Sequence, residues 1–133
     1  MRLKALLRDR FIIAAVIHGD SCPAESFITD GEAAYESSRD GLACLLAHVS
    51  KNGLLGLSSK QTHEVDKRRK IYEFPKGDLR LFYFKGEGPV AVVCTGGLVK
   101  KGQKADKHAV KYAASCRDEY MIAIQNNGLE WVD

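Results

Sequence analysis

The sequence predicts a single α+β domain over residues 1–133, for three reasons. Three short runs rich in β-branched and aromatic residues, at about 70–75, 79–85 and 90–96, are separated by Pro75-Lys76-Gly77-Asp78 and Gly86-Glu87-Gly88-Pro89. Connections this short join antiparallel neighbours, so the runs read as a strand meander. Upstream, Leu42, Leu45, Leu46 and Val49 fall at i, i+3, i+4 and i+7, the apolar stripe of a helix. Downstream, Val110, Ala113, Ala114, Arg117, Tyr120 and Met121 recur at mixed helical spacing from about Asp106. The expected architecture is an N-terminal strand and a helical hairpin packed on a small twisted antiparallel sheet, plus a C-terminal helix. With 45% hydrophobic residues, the chain has enough apolar material for one core.

Taken in order, Arg10 to Ile17 reads as the first strand; its apolar interior predicts a central position or packing on both faces. Ser21-Cys22-Pro23-Ala24-Glu25 has the form of a helix start, with Pro in the first turn and an acid near the positive end of the dipole. Thr29-Asp30-Gly31-Glu32 offers a second start of the capping-box type, and Asn52-Gly53 a left-handed stop. Leu54 to Asp66 has no sustained period and reads as a loop. It runs into Lys67-Arg68-Arg69-Lys70, the densest charge run, which abuts the meander. In the middle strand, alternation places Arg80 with Phe82 and Phe84, and Leu79, Leu81 and Tyr83 opposite. An arginine in line with two aromatics requires a partner or a wet face. Past Gly96-Gly97, Lys100-Lys101-Gly102-Gln103-Lys104 leads into the last helix; Gly128 ends it, and Leu129-Glu130-Trp131-Val132 forms a tail that packs back. There is no internal repeat and no low-complexity segment.

The net charge of +3 conceals an asymmetry: residues 60–117 hold 14 Lys/Arg against 6 Asp/Glu, while the flanking segments are acidic on balance. Charge gathered this way is the footprint of a nucleic-acid or phosphate surface, or else a solvated face. Cys22, Cys44, Cys94 and Cys116 are far apart and form no C-x-x-C pair, so reduced packing residues are expected and no metal site. No apolar run approaches the roughly 20 residues that cross a bilayer. Phe11 to Ile17 is seven residues long, and no A-x-A-like cleavage site follows, so a buried strand is more economical than a signal-peptide core. A cytoplasmic protein without a membrane partner is expected.

Three motifs in order, Lys70-Ile71-Tyr72-Glu73-Phe74, Leu79-Arg80-Leu81-Phe82-Tyr83-Phe84 and Leu98-Val99-Lys100-Lys101-Gly102-Gln103-Lys104, resemble the phage-derived, HigB-like branch of the RelE/ParE toxin superfamily. The resemblance covers roughly residues 32–121. It implies a RelE-like toxin domain whose partner is a cognate helix-turn-helix antitoxin. It also implies an enzyme that enters the ribosome and cuts mRNA by attack of the 2′-hydroxyl on the adjacent phosphate, with no metal or other cofactor. That reaction needs positive hydrogen-bond donors around a pentavalent phosphorane and a base for the hydroxyl. By position, Arg80 is the phosphate stabiliser, Lys100 and Lys101 are further donors, and Glu73 and Tyr72 are the acid/base candidates. Glu73 has an equal reading as the structural partner of Arg80. Lys67, Arg68, Arg69, Lys70 and Lys104 would bind the RNA or ribosome backbone without specifying sequence.

The chain departs from the family in one respect. Ile122 to Asp133 contains neither the Tyr nor the His that completes the site in the nuclease members. The general acid/base is therefore unassigned; His63 and His108 lie in basic segments, whereas His18 and His48 read as structural. Trp131 is either a base-stacking residue or a plug at the core edge. A P-loop is excluded, because Gln103 stands where that motif after Gly97 requires Lys. Two further functions compete: a non-enzymatic phage or prophage protein of the same fold that inhibits a host complex by binding, and a gyrase-directed ParE-type toxin, which the basic meander disfavours. The charge asymmetry predicts that binding to RNA or ribosomes falls steeply with salt. Filter-binding between about 50 and 200 mM salt measures this, and salt-insensitive binding would contradict it.

Overall fold

The structure, a computed structural model, describes residues 1–100 and 106–132. It is α+β, as expected, and the meander forms one half of a larger sheet. Strands β1 (Arg2–Arg8), β2 (Ile12–Val16), β3 (His63–Asp66), β4 (Ile71–Lys76), β5 (Leu79–Lys85), β6 (Val90–Val99) and β7 (Glu130–Val132) lie in the order β3-β4-β5-β6-β2-β1-β7. The β3–β4, β4–β5, β5–β6 and β1–β2 pairs are antiparallel; β2–β6 and β1–β7 are parallel. Helices α1 (Pro23–Thr29) and α2 (Glu36–Asn52), separated by a 3₁₀ turn at Ala33–Tyr35, form the expected helical pair, and α3 (Lys107–Gln125) is the C-terminal helix. None of the described helices is long and apolar enough to cross a membrane.

Each face of the sheet carries its own core. Leu42, Leu46 and Val49 of α2 bury against Ile13, Phe74, Leu81, Tyr83 and Val92. Val110, Ala113, Ala114 and Tyr120 of α3 bury against Ile71, Phe82, Phe84 and Val93 on the other face. Ring stacking supports both sides, with Phe74 and Tyr83 4.1 Å apart between centroids and Phe84 and Tyr120 5.3 Å apart. The alternation expected for β5 holds: Leu79, Leu81 and Tyr83 face α2, while Phe82 and Phe84 face α3.

Several boundaries differ from expectation, each for a physical reason. The first strand is β1 rather than Arg10–Ile17; a register shift between Ala5 and Leu7 breaks the period-2 pattern that would have exposed it in sequence. β2 is nonetheless central, as its apolar run predicted. Residues 63–66, within the expected loop, form the edge strand β3; His-Glu-Val-Asp has little strand character of its own and gains it by pairing with β4. The tail pairs in parallel with β1 as β7. Pro75 lies inside β4, opposite Arg80 and beyond the last β3 pair at Glu73, where its missing N–H costs no ladder bond. The turn itself is Gly77-Asp78, with Gly77 at φ +55° as a two-residue hairpin of this type needs. Gly96-Gly97 does not end β6, which continues to Val99. The Phe27 ring of α1 occupies the space a Gly97 Cβ would need, so this glycine serves close helix packing. The second helix start carries no side-chain cap bond. Cys94 and Cys116 are core residues, with burial pushing the Cys94 thiol up to about 12, but Cys44 is exposed on α2 and is not a packing residue. Because Leu81 is fully buried at the centre of the α2 face, Leu81→Ala should destabilise the protein by about 2–5 kcal/mol in urea titration.

Candidate functional site

Glu73 and Arg80 come together because β4 and β5 pair with Glu73 opposite Phe82 and Pro75 opposite Arg80. Both side chains then fall on the α3 face, one pair apart. Glu73 is buried and Arg80 mostly covered, with side-chain exposures of 7% and 18%. Arg80 Nε lies 3.0 Å from Glu73 Oε2, although its N–H is not aligned for a hydrogen bond. Nη1 of the same guanidinium donates to the Gly77 carbonyl at 2.7 Å and the Leu79 carbonyl at 2.8 Å. Arg80 therefore also ties down the β4–β5 turn. Among the described residues, all its hydrogen bonds leave from Nη1.

A third group meets the same carboxylate. His63 stands opposite Glu73 in the β3–β4 ladder, and its Nδ1 lies 3.6 Å from Glu73 Oε2. One buried carboxylate oxygen is thus flanked by a guanidinium and an imidazole. Lys100 approaches from β6: its N–H donates to the Asp78 carbonyl at 2.7 Å, beside the turn that Arg80 anchors. Leu98 and Val99 pack on opposite faces, so alternation sets Lys100 on the Leu98 and Arg80 side. Lys101 and Lys104 lie outside the described residues.

The basic run occupies a different place. Lys67, Arg68, Arg69 and Lys70 form the exposed β3–β4 loop, at the opposite end of β4 from the Arg80 turn. At roughly 3.3 Å per residue along β4, the loop flanks the Glu73–Arg80 pair and does not touch it. Asp66 holds the loop, accepting the Arg69 backbone N–H at 2.9 Å and lying 3.6 Å from Arg69 Nε. Lys70 adopts φ 61° at its end. Arg69 faces Lys107 and Lys111 of α3 across a cleft of about 320 Å³. Sequence reasoning did not single out those two lysines; their i, i+4 spacing on one helix face was the available signal.

Tyr72 is not part of this cluster. It lies on the α2 face, stacked on Tyr83 at 5.4 Å with Lys85 Nζ 4.9 Å over its ring, and alternation turns it away from Arg80. Tyr83 is buried beneath it, its hydroxyl against Thr62 and pushed up to about 12 by burial. Among the other histidines, His18 packs edge-on to Tyr112 at 6.1 Å and His48 lies beside Asn52 on the exposed side of α2. His108 is exposed in the first turn of α3, where its N–H donates to Asp106. Trp131 sits on β7, at the sheet edge opposite β3, with the Arg8 guanidinium 5.4 Å over its ring. Among the described residues, no three His, Cys, Asp or Glu side chains converge as a metal site.

Chemically, the cluster offers an anchored guanidinium and a partly exposed imidazole beside one carboxylate, with the Lys100 backbone tied to the adjacent turn. That set suits a phosphate oxygen and the proton transfer beside it. Neither the models of known protein families nor the curated proteins contain a match to this chain. Glu73→Ala leaves Arg80 without its counter-charge. It should cost less than the about 3–5 kcal/mol typical of a fully buried pair, because the guanidinium reaches solvent. Urea titration of Glu73→Ala measures this, and an unchanged midpoint would show that the pair contributes nothing.

Proposed function

We propose that this protein is the toxin of a type II toxin–antitoxin pair, a ribosome-dependent mRNA endoribonuclease of the RelE/ParE superfamily that acts in the cytoplasm. The observation that carries the proposal is the pairing of Arg80 with the buried Glu73 on one sheet face beside the Gly77-Asp78 turn, where the Lys100 backbone is also tied, with Lys67–Lys70, Lys107 and Lys111 forming a basic patch toward the other end of β4. In the reaction, a 2′-hydroxyl oxygen attacks the neighbouring phosphorus, and charge builds on the phosphate oxygens. Arg80 and Lys100 supply donors to those oxygens. Glu73 holds the guanidinium in place, so that little reorganisation accompanies the reaction. The flanking lysines and arginines attract the RNA and ribosome backbone from a distance. A helix-turn-helix antitoxin encoded next door is the expected partner.

One observation favours the binding alternative, a phage or prophage host-inhibition protein of this fold. Arg80 already spends its Nη1 donors on its own turn and is ion-paired with Glu73 through Nε, as a purely structural arginine is. Induced expression followed by mapping of mRNA 5′ ends separates the two. The nuclease arrests growth with cuts confined to translated frames, and Arg80→Ala slows cleavage by about 10²–10³-fold. Arrest with intact mRNA, persisting in the Arg80→Ala, Lys100→Ala double variant, establishes the binder instead.

A further inference from the structure

We infer that His63, on the edge strand β3, is the general base of the cleavage reaction, with Glu73 as its positioning residue; the inference rests on the ribonuclease proposal above. Three observations support it. His63 is brought to Glu73 by ladder pairing, not by a flexible loop, and Nδ1 faces the carboxylate at 3.6 Å. A carboxylate at Nδ1 favours the tautomer protonated there, which leaves the Nε2 lone pair directed outward. The imidazole is also accessible, at 46% side-chain exposure, whereas Glu73 is buried. The 3.6 Å contact is longer than a hydrogen bond, as catalytic contacts often are in the absence of substrate.

The other described acid/base candidates are worse placed. Tyr72 faces α2, Tyr83 is buried with its hydroxyl pushed up to about 12, and Glu73 is committed to Arg80. His63 and Arg80 touch the same carboxylate oxygen, so both fall within the span of one phosphodiester. Nε2 takes the proton of the 2′-hydroxyl as its oxygen forms a bond to phosphorus; the bond from phosphorus to the 5′-oxygen breaks. The departing 5′-oxygen takes a proton from water, and the imidazolium returns its own to solvent. The products are a 2′,3′-cyclic phosphate and a 5′-hydroxyl.

The test is single-turnover cleavage of a defined mRNA on programmed ribosomes by the full chain, alongside ribosome pelleting and circular dichroism. His63→Ala should lower the cleavage rate by about 10²–10⁴-fold while ribosome binding and the spectrum stay unchanged. Added imidazole should restore part of the rate, and His63→Gln should be as slow as His63→Ala. His48→Ala, on the far face, should cleave at the wild-type rate. Wild-type cleavage matched by His63→Ala or His63→Gln, or a slow His63→Ala that imidazole does not accelerate, overturns the role of His63 alone. Intact mRNA with wild-type protein overturns the ribonuclease proposal and this inference with it.

Discussion

A carboxylate buried in a sheet face must be compensated where it sits, and Glu73 imposes that requirement on everything around it. Arg80 meets it from β5, His63 from β3, and both reach the same oxygen. The consequence extends beyond the pair. Arg80 lies between Glu73 and the Gly77-Asp78 turn along the hairpin, so its Nε faces the carboxylate while Nη1 donates to the Gly77 and Leu79 carbonyls. The β4–β5 hairpin and the edge strand β3 thereby meet at one charge.

The two sheet faces divide structural and chemical work. The face under α2 is lined by Leu81, Tyr83, Phe74 and Val92, with no charged side chain among its fully buried members. The face under α3 is apolar along Ile71, Phe82 and Phe84 but turns polar toward β3 and the β4–β5 turn. β5 contributes to both, since its alternation continues one step past the core to Arg80. A rigid strand holding a functional side chain at the limit of its buried segment supplies both placement and solvent access. Phe27 packs against Gly97, β6 stays paired with β5 to Val99, and the Lys100 backbone N–H donates to Asp78 beside the turn.

Much of the sheet's middle was legible in the residues. The meander, the α2 stripe, the apolar β2 and the C-terminal helix all announced themselves through local period and turn chemistry. So did the face shared by Arg80, Phe82 and Phe84. What escaped was set by partners distant in sequence. β3 has polar residues at three of four positions and becomes a strand because β4 offers an unpaired edge. β1 hides its alternation behind a bulge, and β7 exists because β1 presents an edge in turn. Within the site, Glu73 and Arg80 were visible as a pair, while the grouping of Tyr72 with them failed against the same alternation that placed Arg80.

The sequence was sufficient, through period and spacing, for the α+β class, the order of the central elements and the charge gathered in residues 60–117. These depend on interactions within a few residues, which spacing encodes directly. Tertiary structure decided which charges meet. The run Lys67–Lys70, the densest in the chain, ended up at the far end of β4 from Arg80, whereas the inconspicuous His63 ended up against Glu73. Register is the reason: pairing His63 with Glu73 follows from where β3 docks on β4, a choice made by the sheet as a whole and written in no local stretch of chain.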